Sequence, residues 1–312
     1  MALAAFKAYD IRGKIPSELN EDIARNIGRA YADLFKPKRV VVGRDMRLSS
    51  PAIAGALSEG LNEAGVDVVD IGLGGTELVY FAAFHLDKDG VDGGIAVTAS
   101  HNPADYNGMK LVTKGAVPIS GDSGLHEIGA RAERGYERAK RTGRIESVDV
   151  WPAYIAHLLA YVDAKSIAPY KVVANAGNGC AGLVVDRIQS SLPVQFVKVH
   201  NEPDGTFPHG VPNPLLEENR AATADVVKRE RANVGLAWDG DHDRCFFFDD
   251  DGAFVEGYYM VGLFAAEMLR QHPNSVIIHD PRLVWNTIDL VKKNGGRAVM
   301  SKTGHAFIKE RM

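Results

Sequence analysis

RVVVGRDMRLSSPAIAGALSEGLNEAG, residues 39–65, decides the fold. Arg39-Val40-Val41-Val42-Gly43 is a short β-branched run, as expected of a buried strand. Ser50-Pro51 then supplies an N-cap and a first-turn proline to a helix ending near Ala64-Gly65. The same grammar continues outward: Val66 to Ile71 reads as a strand, Thr76 to Leu86 as a helix and Gly94 to Ala99 as a third strand. Strands alternating with helices imply an α/β fold with a mostly parallel sheet. The third strand breaks into Ser100-His101-Asn102-Pro103, followed by a second turn signal at Asn107-Gly108.

Beyond Ser147 the grammar repeats. Trp151 to Val162 is an amphipathic helix, Tyr170 to Ala174 a strand, and Asn175-Ala176-Gly177-Asn178-Gly179 a loop before a helix at Leu183 to Ile188. A strand at Val194 to Val199, a helix at Glu217 to Arg231 and a strand at Val234 to Trp238 complete this unit. A third unit holds helices at Glu256 to Arg270 and Thr287 to Lys293, strands at Val276 to His279 and Ala298 to Met300, and a helix just begun at Met312. The units divide as residues 1–147, 148–251 and 252–312. A domain of about 60 residues is marginal alone, so the third reads as incomplete.

Composition narrows the function classes. The chain is 46% hydrophobic and 24% charged with a net charge of −4, which offers no basic stripe for nucleic acid. The basic stretch Arg131 to Arg144 lacks interleaved aromatics and reads as a solvated helix face. Cys180 and Cys245 form no CxxC pair, which suits a reducing cytoplasm. Val261 to Leu269 carries Glu267 and is too short to span a bilayer.

Two stretches carry the chemistry. In WDGDHDRCFFFDDDG, Asp239, Asp241 and Asp243 alternate after an apolar strand. Three carboxylates so close repel one another, and a hard divalent cation such as Mg²⁺, Ca²⁺ or Mn²⁺ would neutralise them. An EF-hand fails, because Arg244 stands where that loop needs glycine and Asp250 where it needs glutamate. A turn of solvated aspartates is the plain alternative. Ser100 is either an ordinary loop serine or a phosphoryl carrier. His101, adjacent in sequence, is expected to point away from it, so no Ser–His hydrolase pair is indicated. A phosphorylated serine needs a metal and cations around it, and Arg12, Lys110 and Arg244 are the candidates. Tyr9 to Gly13 reads equally as a strand-edge turn, Lys302-Thr303-Gly304-His305 as either an ordinary loop or an anion-binding one before a helix, and Arg282 as a surface arginine.

KAYDIRG, TASHNPADYNGMK, AWDGDHDRC, IIHDPR and KTGHAFIKERM, in that order, resemble the α-D-phosphohexomutases. The likeness extends through GLGGTELVYF, NAGNGCAG and EPDGTFPHGVPNPLL, over essentially the whole chain. It implies that Ser100 is the phosphoserine and that Asp239, Asp241 and Asp243 hold Mg²⁺ with a phosphoryl oxygen on Ser100. Arg12, Lys110 and Arg244 would then stabilise the moving phosphoryl group. His101, Arg282, Gly304 and His305 would face the sugar phosphate, although Arg282 stands where the family more often has lysine. His242, a minor departure, is expected to project outward. The implied architecture is heart-shaped, built of repeated mixed-sheet α/β domains, with the C-terminal part absent from this chain. The implied reaction interconverts hexose 1- and 6-phosphates through a 1,6-bisphosphate, on mannose or on glucose. The residues also leave open a phosphohydrolase with an aspartyl nucleophile, and a non-catalytic module that binds metal and phosphosugar.

Overall fold

The computed structural model describes residues 4–134, 136 and 139–312. Gly135, Glu137 and Arg138 of the basic stretch therefore lie outside the described residues, and the helix before them ends at Ala132. In chain order the first unit comprises β1 (Ile11–Lys14), α1 (Glu21–Phe35), β2 (Arg39–Arg44), α2 (Ser50–Glu63), β3 (Asp67–Leu73) and α3 (Thr76–His85). It continues with β4 (Gly93–Val97), β5 (Tyr106–Thr113), β6 (Val117–Pro118), α4 (Leu125–Ala132) and β7 (Ile145–Ser147).

Val40, Val41 and Val42 are all buried because the sheet is covered on both faces. Val40 and Val42 face one apolar cluster with Ile27, Leu57 and Met109, while Val41 faces another with Leu78, Val79 and Val112. That division follows from the two-residue period of a strand. Each fully buried side chain of this kind contributes about 1.5–3 kcal/mol. Helix α1 opens on Asn20, whose side chain accepts from the Ile23 N–H at 3.0 Å. The cap position of α2 is Ser49, one residue before the expected Ser50, whose hydroxyl is instead drawn to Asp45 at 2.5 Å.

The strand order is β1-β5-β4-β2-β3-β7, with β6 beside β5. β4, β2, β3 and β7 pair in parallel, and β5 runs antiparallel to β4, β1 and β6, so the sheet is mixed, with β5 reversed among strands that otherwise share one direction. The expected turn at Asn107-Gly108 is wrong, since both residues sit inside β5 and Gly108 pairs with Arg12. A Cβ at Gly108 would lie 2.0 Å from the Ile11 carbonyl oxygen, so the glycine serves close backbone approach. Tyr9 to Gly13 is a turn at the sheet edge, as expected: the Lys7 N–H donates to the Asp10 carbonyl at 2.9 Å, and Ile11 to Gly13 then enter the edge strand β1.

The second unit holds α5 (Trp151–Leu159), β8 (Lys171–Asn175), α6 (Ala181–Ile188), β9 (Gln195–Val199), α7 (Ala221–Glu230), β10 (Val234–Trp238), β11 (Cys245–Phe248) and β12 (Phe254–Val255). Its sheet runs β12-β11-β10-β8-β9. Helix α5 packs against α3 of the first unit, with Tyr154 and Phe81 ring centroids 5.3 Å apart. The third unit holds α8 (Gly257–Gln271), β13 (Val276–His279), α9 (Trp285–Lys293), β14 (Arg297–Met300) and α10 (His305–Arg311), with β13 and β14 parallel. No helix among the described residues is long and apolar enough to cross a membrane.

Candidate active site

The carboxyl ends of parallel strands are where α/β sheets leave a crevice, because the chain must leave each strand there to reach its crossover. The loop after β4 carries Ser100, and the loop between β10 and β11 carries Asp239, Asp241 and Asp243. The two loops meet: the buried Ser100 Oγ donates to Asp239 Oδ2 at 2.6 Å. Residues 139 apart in sequence thus share one hydrogen bond.

Ser100 adopts a left-handed backbone at φ 52°, a conformation that costs a non-glycine residue on the order of 1–3 kcal/mol. Its N–H donates to Thr98 Oγ1 at 2.9 Å. Its carbonyl accepts from Arg47 Nη2 at 3.0 Å, and the same guanidinium reaches the carbonyls of Asn102 (2.6 Å), Pro103 (2.7 Å) and Tyr106 (2.9 Å). Arg47 is 1% exposed. The bend also brings His101 Nδ1 to 3.0 Å from Ser100 Oγ, within hydrogen-bond reach of Arg244, so His101 does not point away as expected. Burial and the charges of Arg244 and Arg12 push the His101 imidazole down to about 4, leaving it neutral at pH 7.

The three expected cations are all present around the serine and the acids. Arg244 donates to Ser100 Oγ at 2.5 Å and contacts Asp239 Oδ2. Lys110, buried in β5, donates to Asp241 Oδ2 at 2.7 Å and Asp243 Oδ2 at 2.6 Å. Burial alone would depress the Lys110 ammonium, but Asp241 and Asp243 hold it well above its ordinary value. Arg12, also buried, is fixed by Asp10 at 2.9 Å and the Thr98 carbonyl at 3.2 Å.

Asp239, Asp241 and Asp243 each offer an oxygen within 4.8 Å of the others. Oxygens gathered this closely face a space that one divalent ion could bridge. Asp241 Oδ1 and Asp243 Oδ1 are buried without a hydrogen-bond donor, which a cation would satisfy. Burial and the neighbouring Asp241 push the Asp239 carboxyl above the usual carboxylate range. Asp241 goes the other way: burial opposes its charge, but Lys110 and Arg12 hold it far below the usual carboxylate range. All-oxygen donors suit a hard divalent cation.

The remaining candidates come from further afield. His242 does not project outward. It lies half-buried against Gly75, where a Cβ would stand 2.6 Å from its ring. Gly304 and His305 open α10, and the His305 ring meets Tyr9 edge-on at 5.4 Å. Burial and Lys110 push the His305 imidazole down to about 4. Arg282 pairs with Asp280 in its own loop at 2.8 Å, and its side chain stays 75% exposed, with no hydrogen bond or ion pair to the Ser100 cluster. Arg47 and Thr76 went unnoticed in the sequence. Thr76 Oγ1 donates to Asp241 Oδ2 at 2.5 Å.

A hydroxyl set against acids and guanidinium groups at facing strand ends suits an α/β enzyme of phosphoryl transfer. Models of the phosphoglucomutase/phosphomannomutase alpha/beta/alpha domains I, II and III match residues 3–139, 152–252 and 256–312. The chain is 58% identical over 319 residues to a phosphomannomutase of Salmonella typhimurium (strain LT2), covering 99% of this chain and 69% of that protein. A phosphomannomutase of Escherichia coli (strain K12) is 56% identical with the same coverage. Among solved structures, a phosphoglucomutase/phosphomannomutase family protein from Burkholderia thailandensis superposes with a TM-score of 0.90 at 38% identity, covering 100% of this chain and 69% of that one. This chain belongs to the phosphoglucomutase/phosphomannomutase family, and spans about 69% of the length of the relatives it matches. The expectations of a phosphohexomutase, an isomerase built from mixed-sheet α/β domains, are met.

Proposed function

We propose that this protein interconverts mannose 6-phosphate and mannose 1-phosphate, with Ser100 as the phosphoryl carrier and a hexose 1,6-bisphosphate as the intermediate. The observation that carries the reading is the 2.6 Å contact between Ser100 Oγ and Asp239, inside a trio of acids and beside Arg244. Mannose is taken as the sugar because the similar proteins of Escherichia coli and Salmonella typhimurium are phosphomannomutases.

Asp239, Asp241 and Asp243 would hold Mg²⁺, which when bound neutralises charge on the phosphoryl oxygens. Arg12, Lys110 and Arg244 supply fixed positive charge on the other sides. Lys110 is suited to this, because its two carboxylate partners keep it protonated. In the forward half-reaction the serine Oγ–P bond breaks as a sugar hydroxyl oxygen bonds to phosphorus, and the proton lost by that hydroxyl ends on the released Ser100 Oγ. The bisphosphate then turns, and the second half-reaction returns the other phosphoryl group to Ser100. His101, Gly304, His305 and Arg282 are the residues assigned to the sugar phosphate.

Ser100→Ala tests the reading. It is expected to abolish conversion of mannose 1-phosphate while leaving the fold intact by circular dichroism. Conversion at the wild-type rate by Ser100→Ala would overturn the assignment. Because the family models name glucose as well as mannose, the ratio of kcat/KM for mannose 1-phosphate over glucose 1-phosphate fixes the sugar. A ratio below one would make glucose the substrate.

A further inference from the structure

The metal trio belongs to the second unit, yet one of its carboxylates is held from the first. Asp241 is fully buried, and its Oδ2 accepts from Thr76 Oγ1 at 2.5 Å and from Lys110 Nζ at 2.7 Å. The Thr76 backbone N–H donates to the Asp241 carbonyl at 3.1 Å. Thr76 is the first residue of α3 and is itself buried, so neither group can swing away. Gly75 makes the approach possible: a Cβ there would stand 2.2 Å from the Asp241 carbonyl oxygen. These donors use up one oxygen of Asp241 and leave Oδ1 buried without a hydrogen bond.

We propose that Thr76 is a positioning residue for the cation: from the first unit it fixes the Asp241 carboxylate so that Oδ1 is the oxygen presented to a divalent ion. The inference rests on the reading that the aspartate trio binds such an ion. Its physical basis is general. A carboxylate ligand without its outer hydrogen bond must be ordered at the moment of binding, and loss of such a partner commonly weakens metal affinity about 10–100-fold. The Thr76 hydroxyl donates to Asp241 and makes no hydrogen bond to Ser100 among the described residues, so its effect is expected to fall on the ion. The arrangement also makes the cation site a joint property of two units, complete only while α3 is docked against the loop after β10.

Calorimetric titration of the metal-free protein with Mn²⁺, in the absence of sugar phosphate, tests this directly. Thr76→Val keeps the shape and removes the hydroxyl, and is expected to bind Mn²⁺ about 10–100-fold more weakly. Thr76→Ser keeps the hydroxyl and is expected to bind within about threefold of wild type, on the same principle. At saturating cation, the KM for mannose 1-phosphate should stay unchanged in both variants. Should valine prevent folding, Thr76→Ala removes the same hydroxyl without adding bulk, and the same weakening is expected. Wild-type Mn²⁺ affinity in Thr76→Val or Thr76→Ala overturns the proposal while the trio reading stands. Absence of Mn²⁺ binding by the wild type overturns the trio reading itself.

Discussion

Arg47 carries a full charge into the interior, which is tolerated because both of its terminal nitrogens are hydrogen-bonded and Asp45 stands beside it as counter-charge. Four carbonyls at residues 100, 102, 103 and 106 accept from it, so one side chain holds the strained loop that presents Ser100. Its partner Asp45 is fully buried as well, with Nε 3.4 Å from Oδ2. Arg47→Met would strand that carboxylate and release the loop, at an expected cost of about 3–5 kcal/mol in urea unfolding. A loss under about 1 kcal/mol would show that the loop holds itself. Arg47 and Thr76 were not legible in the sequence, because their partners lie 53 and 165 residues away. Ser100 and the aspartate trio were legible, since polar residues interrupting apolar runs at strand ends stand out locally. The orientations of His101 and His242 escape the sequence for a local reason. A left-handed φ at Ser100 (52°) and at His242 (49°) turns each loop in a way that residue order does not reveal.

Among the elements, β5 shows the limit of local reading. Asn-Gly is the strongest short hairpin signal, and it suggested a turn. The pairing that overrides it comes from β1, about a hundred residues away, and from β4 on the other side. Gly108→Ala would push a methyl group to 2.0 Å from the Ile11 carbonyl oxygen and 2.9 Å from that of Thr98. Overpacking of this kind costs about 1–3 kcal/mol, and rigid backbone on the receiving side places this substitution at the upper end. The urea midpoint should fall accordingly; an unchanged midpoint would show that β1 can move away freely. The strand–helix succession from residue 39 to residue 86 was legible because each strand is a run buried on both faces and each helix follows within a few residues. Helix α3 joins more than its own unit, since Thr76 meets Asp241 and Lys309 of α10 lies 3.4 Å from Glu77 and over the Tyr80 ring.

At the scale of the whole molecule, the first and third units meet through a small aromatic group and exposed ion pairs. Tyr9 meets His305 at 5.4 Å and Phe307 at 6.3 Å, both edge-on, while Lys302 pairs with Asp122 and Ser123 donates to Glu310 at 2.7 Å. Exposed pairs contribute about 0–1 kcal/mol, whereas an aromatic contact adds about 0.5–1.5 kcal/mol beyond its buried area. Lys302→Ala should therefore shift stability by less than about 1 kcal/mol. Tyr9→Ala should loosen the Gly304-His305 loop and raise the KM for the hexose phosphate roughly 2- to 10-fold, with kcat little changed. Equal effects of the two substitutions on KM would contradict that ranking. The docking of α10 on the first unit could not be read from the sequence, where Lys302 to His305 shows only a loop before a helix.

The central claim is that Ser100 carries the phosphoryl group, and phosphosite mapping tests it most directly. After incubation with hexose 1,6-bisphosphate and Mg²⁺, the peptide containing Ser100 should gain about 80 Da, one phosphoryl group. That label should survive hydroxylamine. Label on the peptide carrying Asp239, Asp241 and Asp243, lost in hydroxylamine, would contradict the account.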